Sequence, residues 1–141
     1  MIDFEMTDYI TPEEYMEMRR IVNWGEFPLE QAAIGLKNSF ILICLRDMEG
    51  NPIGLGRVIS DGGYVVYIAD VIVVPEYQGN GLGRVIMETL MERITEPLKP
   101  GYRVMVSLMA AKGKEEFYDK FGFEIRPNET VGCGMHQWLG A

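Results

Sequence analysis

Apolar and polar positions alternate at the start of the chain, and apolar positions then recur at helical spacing. Residues 2–7, IDFEMT, alternate strictly enough to predict a half-buried strand. A helix is predicted next, because Thr11 can cap it, Pro12 fits its first position and Glu14 completes a capping box. A second short helix is predicted at about residues 29–37.

The middle of the chain carries its strongest apolar runs. FILICLRD and PIGLGRVISD flank the turn-forming MEGN, which predicts a β-hairpin. Residues 64–74, YVVYIADVIVV, contain Asp70 as their only charge and predict a central strand covered on both faces. Apolar positions then return to helical spacing and predict a helix over residues 82–96, ended by Pro97.

The last third predicts shorter elements. A strand is expected at RVMVSLM, residues 103–109, and a short helix at KEEFYDKF. FGFEIRP and GCGMHQWL predict two closing antiparallel strands. A right-handed crossover from residues 64–74 to 103–109 would make those two strands parallel. We therefore predict an α/β (α+β) fold: a mixed, mostly antiparallel central sheet with one parallel βαβα unit and helices on both faces.

Composition narrows the class of protein. The chain has 141 residues, 48% of them apolar, which suits a single domain over residues 1–141. The acidic N-terminus lacks the layout of a signal peptide and no apolar run could span a membrane, so we expect a cytoplasmic protein. A net charge of −8 opposes nucleic-acid binding. Cys44 is expected to be buried, and Cys133 with His136 supplies too few ligands for a metal site.

Three glycines in five positions stand where the central strand passes into a helix. Gly79, Gly81 and Gly83 each cost about 0.5–1 kcal/mol relative to alanine if they lie in helical structure. Either a bound ligand or tight packing must offset that cost. The first backbone N–H groups of a helix lack intrahelical acceptors and carry the positive end of its dipole. The loop therefore suits a phosphate or pyrophosphate.

Three phosphate-binding patterns compete for this loop. A P-loop is excluded because no Lys-Ser or Lys-Thr follows the glycines. The dinucleotide fingerprint fails because Arg84 occupies the place of its last glycine. The third pattern, Q/R-x-x-G-x-G/A, binds the pyrophosphate of coenzyme A, and Gln78, Gly81 and Gly83 fit it.

Residues 69–91, ADVIVVPEYQGNGLGRVIMETLM, and residues 117–124, FYDKFGFE, together resemble the GNAT superfamily of N-acetyltransferases. The resemblance implies acetyl-CoA as co-substrate and no metal. Loop amides would hold the pyrophosphate, and strand residues would pair with the pantetheine arm. Many members carry Asn and Ala seven and four residues before their tyrosine; here Ala111 and Lys114 stand there, so Lys112 or Lys114 would reach a coenzyme A phosphate instead. The implied cofactor-binding residues are Ile72, Val73, Val74, Gln78, Gly79, Asn80, Gly81, Leu82, Gly83, Arg84 and Lys114.

The resemblance also implies residues for the chemistry and for the acceptor. Tyr118 matches the tyrosine that protonates the departing thiolate, and a phenol with a pKa near 10 keeps its proton at neutral pH. Asp70 is a candidate to deprotonate the amine or bind it as an ammonium; the alternative is a structural ion pair or cap. Trp24, Glu26 and Phe27 follow the first helix, where family members place acceptor-binding residues, although Trp24 could equally belong to the core.

The predicted function is an acetyl-CoA-dependent N-acetyltransferase acting on a primary amine by direct transfer in a ternary complex. The alternative is a non-catalytic acyl-CoA-binding sensor or assembly module of the same fold. The expected partner is a small-molecule or peptide amine, with neither nucleic acid nor a membrane. A homodimer is a further expectation, because the closing strands could pair with those of a second subunit.

Overall fold

The computed structural model describes residues 2–140, which form strands, helices and connecting segments. The strands are β1 (Glu5–Thr7), β2 (Ile41–Arg46), β3 (Pro52–Ser60), β4 (Val65–Val73) and β5 (Met105–Leu108). The helices are α1 (Pro12–Ile21), α2 (Leu29–Lys37), α3 (Leu82–Thr95) and α4 (Glu115–Asp119). A short 3-10 turn, Pro75–Tyr77, leads from β4 towards α3.

The strands form one open sheet in the order β1-β2-β3-β4-β5. β1 with β2, β2 with β3, and β3 with β4 pair antiparallel, and α3 connects β4 to β5. Cys44 on β2 lies opposite Leu55 on β3, which in turn lies opposite Ile72 on β4. The predicted mixed, mostly antiparallel sheet flanked by helices is therefore confirmed.

The chain forms two compact units, one ending at Val106 and the other beginning at Ser107. The first contains β1 to β4, α1 to α3, and every buried apolar side chain found among the described residues. The second contains α4. The single domain over residues 1–141 stays a prediction.

Local sequence signals place most elements correctly. The capping box forms as predicted: the Glu14 amide donates to Thr11 Oγ1 and the Thr11 amide donates to Glu14 Oε1, each over 3.0 Å. Helix α2 occupies the predicted residues, and Cys44 is fully buried. The first strand is shorter than predicted and covers only Glu5–Thr7 at the sheet edge.

The prediction of two closing strands is wrong. Among residues 121–140, FGFEIRP and GCGMHQWL form no strand, and residues 132–140 are exposed. Pro127 has no N–H to donate to a neighbouring strand, and Gly132 and Gly134 offer no side chain to bury at alternate positions. The alternation that predicted these strands therefore lacks the burial that would stabilise them.

Helix α3 lies close against β3 at two glycines. A Cβ atom at Gly56 would lie 2.7 Å from Ile86 Cγ2 and 3.0 Å from Leu90 Cδ1, and at Gly54 it would lie 3.1 Å from Ile86 Cδ1. A larger residue at Gly56 would therefore force the Ile86 and Leu90 side chains to shift, and one at Gly54 would require the neighbouring side chains to move by a few tenths of an ångström. The two glycines of β3 thus allow the side chains of α3 to pack directly on the strand backbone.

A pH-dependent ion pair joins α1 to β2. Arg46 donates from Nη1 to Glu14 Oε2 over 2.8 Å and from Nη2 to Glu14 Oε1 over 3.0 Å. The pKa of the Glu14 carboxyl falls from 4.5 to about 2, mainly because of the hydrogen bond from the Arg46 guanidinium. The Thr11 amide contributes in the same direction. A carboxyl with a lowered folded-state pKa stabilises the fold above its unfolded pKa and loses that contribution as pH falls through the folded value.

We expect Glu14→Gln to lower the free energy of unfolding by about 2 kcal/mol at pH 7, allowing for solvent screening of a partly exposed side chain. Urea unfolding of both proteins should show this difference shrinking as pH falls from 5 towards 2. The matched control is Glu17→Gln, which removes an exposed ion pair to Arg20 on the same helix. Equal losses for the two variants at pH 7 would contradict the assignment to the Arg46–Glu14 pair.

Candidate active site

The glycine loop adopts a backbone conformation that only glycine accepts readily. Gly79 and Gly81 both have φ +81°, and a Cβ atom built on either would meet nothing within 4 Å. Tight packing therefore does not explain these two glycines. Their conformation does, and it leaves open space in front of the start of α3.

The N-terminus of α3 presents backbone donors to that space. Gly81 is the N-cap residue and supplies no side-chain acceptor, and the first turn contains no acidic residue. The first helical hydrogen bond runs from the Val85 amide to the Gly81 carbonyl over 3.1 Å. The amides of Leu82, Gly83 and Arg84 precede it, so they have no acceptor within the helix. The positive end of the helix dipole lies at these donors, and Arg84 is exposed beside them, with its Nε donating to Glu88 Oε1 over 2.8 Å. The binding of an anion here stays a prediction.

The end of β4 offers one backbone edge beside this loop. The Val74 amide donates to the Ile53 carbonyl over 3.0 Å, so the preceding residue, Val73, directs its backbone groups to the opposite edge. There the Val73 carbonyl accepts from Gln78 Nε2 over 2.9 Å. Asn80 Nδ2 donates to the carbonyls of Tyr77 and Gln78. Both predicted side chains therefore hold the loop in shape.

Strand β5 is too short to cover that edge. The Met105 amide donates to the carbonyl of Tyr64, just before β4, over 2.7 Å. From that starting point β5 has four residues, whereas β4 has nine. The carboxyl-terminal part of β4 therefore extends beyond the reach of β5, which is where the resemblance implies pairing with pantetheine.

Asp70 lies in a buried network of charged and polar side chains. Its Oδ2 accepts from Tyr15 Oη over 2.7 Å and from Arg57 Nε over 2.6 Å, and its Oδ1 lies 3.7 Å from Arg19 Nη1. Asp70 is 4% exposed, so these charges interact with little screening. Burial, and then the Asp70 charge, raises the pKa of Tyr15 above 10. Of the two roles left open for Asp70, the contacts favour the structural ion pair.

The predicted acceptor residues occupy the connection between α1 and α2, residues 22–28. Trp24 and Phe27 are half-buried, and the Arg19 guanidinium lies 5.5 Å and 4.7 Å from their ring centroids. Glu26 is exposed and pairs with Arg20 over 2.9 Å. The structure thus brings Trp24 and Phe27 together around one arginine and directs Glu26 to another.

Sequence reasoning missed Tyr15, Arg19 and Arg57 as members of this network. A signal was present, because Arg57 interrupts one apolar strand much as Asp70 interrupts the next. The two lie opposite each other in the register of β3 and β4. Tyr15 and Arg19 stand four residues apart on the buried face of α1, a spacing that places side chains together.

Tyr118 and Lys114 belong to the second compact unit. Tyr118 lies in α4, with its ring edge-on to Phe117 at 5.0 Å and to Phe123 at 6.4 Å. Burial raises the pKa of the Tyr118 phenol above its ordinary value of 10. Lys114 is exposed at the start of the helix, and its carbonyl accepts from the amides of Phe117 and Tyr118. Their roles in catalysis and cofactor binding stay predictions.

The fold is that of an acetyltransferase domain. A family model described as "Acetyltransferase (GNAT) domain" matches residues 37–125, more than half of the chain. The chain belongs to the GNAT acetyltransferases, which confirms the family resemblance seen in the sequence.

Individual relatives agree with this membership. "Uncharacterized N-acetyltransferase ycf52" from Pyropia yezoensis is 34% identical over 79% of this chain and 63% of its own length. "Histone acetyltransferase TAP1" from Glycine max is 35% identical over 79% of this chain and 51% of its own length. The chain thus spans between about half and two thirds of these curated relatives.

A solved structure matches almost the whole chain. It is SA2161 from meticillin-resistant Staphylococcus aureus, described as a protein of unknown function and a probable acetyltransferase. It is 35% identical and superimposes with a TM-score of 0.85 over 97% of this chain and 100% of its own. Within residues 2–140 of our chain, no helix has the length and apolar character to cross a bilayer. The cytoplasmic location stays a prediction.

Proposed function

We propose that this chain is an acetyl-CoA-dependent N-acetyltransferase that moves an acetyl group to a primary amine by direct transfer in a ternary complex. The observation that carries the proposal is the uncapped N-terminus of α3 behind two left-handed glycines with open space before them. Membership of the GNAT acetyltransferases supports the same chemistry.

Acetyl-CoA fits the groups that the first unit presents. Its pyrophosphate would accept hydrogen bonds from the amides of Leu82, Gly83 and Arg84, and the positive end of the α3 dipole favours that charge. The pantetheine amides would pair with the edge of β4 at Val73, where the Val73 carbonyl also accepts from Gln78 Nε2, as an added strand does. Lys114, in the second unit, is the proposed partner of a further phosphate of the cofactor.

The reaction needs few protein groups. The neutral amine attacks the thioester carbonyl carbon and forms a C–N bond, while the carbonyl oxygen becomes an oxyanion. Collapse of that intermediate breaks the C–S bond and expels the thiolate, which the Tyr118 phenol protonates. The nitrogen, positively charged after the attack, loses one proton to water, and a proton from water restores the Tyr118 phenol. The raised pKa of Tyr118 keeps the phenol protonated through the neutral range, as a general acid requires. No covalent intermediate on the protein is needed.

The acceptor is proposed to lie against the connection between α1 and α2. Trp24 and Phe27 offer half-buried aromatic surface, and Glu26 offers an exposed carboxylate. That combination suits an amine with an apolar body, drawn by the net charge of −8. The name of the Glycine max relative, a histone acetyltransferase, makes lysine-bearing peptides one class to test.

The test combines binding with turnover on a panel of amines. We expect acetyl-CoA alone to raise the melting temperature, and at least one amine among polyamines, amino sugars, amino acids, arylalkylamines and histone peptides to cause thiol release. Initial rates should give intersecting double-reciprocal lines; parallel lines would indicate a covalent intermediate and contradict direct transfer. Thermal stabilisation without thiol release from any amine would favour the non-catalytic sensor. Absence of stabilisation would contradict both readings.

A further inference from the structure

The connection between α1 and α2 is held against α1 by its own backbone. The Trp24 amide donates to the Arg19 carbonyl over 2.8 Å, and the Phe27 amide donates to Met16 Sδ over 3.4 Å. Asn23 makes the reversal of direction possible by adopting φ +61°, a conformation that asparagine tolerates better than most residues. These bonds fold the connection back onto the helix that precedes it.

The side chain of Arg19, on α1, contacts the connection at several points. Arg19 Nε donates to the Gly25 carbonyl over 2.7 Å. The same guanidinium lies over the rings of Trp24 and Phe27, so it contacts three of the connection's residues at once. Arg19 is 9% exposed, so little water competes with its contacts to the two rings.

The other end of Arg19 reaches the buried sheet. Its Nη1 donates to Tyr15 Oη over 3.4 Å and lies 3.7 Å from Asp70 Oδ1. Arg57, on β3, also donates to Asp70, from Nε to Oδ2 over 2.6 Å. An unbroken series of polar contacts therefore runs from strands β3 and β4, through Arg19, to the connection.

We propose that Arg19 is a positioning residue that fixes the connection at residues 22–28 and thereby sets affinity for the acceptor amine. The inference rests on the proposed function, since it takes Trp24 and Phe27 as acceptor-binding residues. Only an arginine can make all of these contacts, because its planar guanidinium stacks on rings while its N–H groups donate hydrogen bonds in several directions. A lysine at this position would keep the charge but would carry all its donors on one nitrogen, and it would lose the planar group that stacks on the rings.

Hydrogen exchange of the intact protein tests the anchoring without any acceptor. In Arg19→Gln we expect the amides of residues 22–28 to exchange at least about tenfold faster, and in Arg19→Lys to exchange at an intermediate rate. The matched control is Arg46→Gln. Arg46 is also buried, pairs with a carboxylate, bonds the Gly50 carbonyl and lies 4.8 Å from the Tyr9 ring, but its contacts lie elsewhere.

Steady-state kinetics with an active amine tests the positioning. Arg19→Gln should raise the KM for the amine about tenfold, with a smaller change in kcat and an unchanged KM for acetyl-CoA, and Arg19→Lys should recover part of the loss. Arg46→Gln should leave the KM values unchanged. Normal exchange at residues 22–28 in Arg19→Gln, or an equal increase there in Arg46→Gln, would overturn the anchoring.

Faster exchange in Arg19→Gln with an unchanged KM for the amine would overturn the link to the acceptor. If the wild-type protein stabilises with acetyl-CoA but acetylates no amine, the proposed function fails, and hydrogen exchange still decides whether Arg19 anchors the connection. Should Arg19→Gln fail to fold, Arg19→Lys carries the same comparison against Arg46→Lys.

Discussion

Replacing Gly81 with glutamate is expected to abolish the rise in melting temperature that acetyl-CoA gives the wild-type protein. The new side chain would enter space that is open in the structure and would bring a negative charge to the amides of Leu82 and Gly83. A pyrophosphate would then meet repulsion where the helix now presents donors. At acetyl-CoA concentrations about 100 times the wild-type Kd, the ligand contributes about 2.7 kcal/mol of stability, which the variant should lose.

Glycine 62 provides the control for this experiment. Gly62 has φ +82°, and a Cβ atom there would also meet nothing within 4 Å, so Gly62→Glu introduces the same backbone strain and the same charge. Both variants should melt at a lower temperature than the wild type without ligand, but only Gly62→Glu should still be stabilised by acetyl-CoA. Stabilisation of Gly81→Glu equal to that of the wild type would remove the anion site from the start of α3.

Replacing Tyr118 with phenylalanine is expected to lower kcat by about 10²- to 10³-fold while the Kd for acetyl-CoA changes less than about twofold. The substitution removes only the hydroxyl, and the ring contacts with Phe117 and Phe123 remain available. Single-turnover rates and calorimetric titration measure the two quantities separately. Because burial raises the pKa of Tyr118, the wild-type rate should show no loss of this acid across the neutral range.

Tyr102→Phe serves as the matched control, since Tyr102 is 65% exposed and belongs to no part of the proposed site. It should leave both kcat and the Kd for acetyl-CoA unchanged. If Tyr118→Phe retained wild-type turnover with the fold intact, Tyr118 would not be the acid, and water or another group would protonate the thiolate. A loss of acetyl-CoA affinity equal to the loss of kcat would indicate a binding role instead.

The elements that sequence reasoning placed well are those stabilised by short-range interactions. The capping box at Thr11 and Glu14 involves residues three apart, and helix α2 follows from apolar spacing within nine residues. The closing strands failed for the opposite reason. Alternation near Pro127 and Gly132 resembles a strand locally, but a strand also needs a neighbour that bonds and buries it.

The candidate site shows the same difference between features set by short-range interactions and features set by long-range contacts. The glycine spacing pointed to a helix N-terminus with free donors, and the structure has one at Gly81. The spacing alone did not decide whether tight packing or a bound ligand explains the glycines. The empty space beside Gly81 favours the ligand. Asp70 was recognisable in the sequence as a charge in an apolar strand. Its partners on α1 and β3 could be identified only from the tertiary structure, which brings those elements together.

The sequence by itself determined the order of the main elements and the position of the glycine loop, because helix caps, apolar spacing and glycine-rich turns act over a few residues. Its resemblance to the GNAT superfamily, carried by residues 69–91 and 117–124, indicated the family. The tertiary structure alone decided that Asp70 is held by Tyr15 and Arg57 and that Arg19 ties the connection at residues 22–28 to the buried sheet. The Tyr15–Asp70 hydrogen bond joins residues 55 positions apart. Such contacts depend on how closely α1 packs on the sheet, and no local pattern of residues encodes that distance.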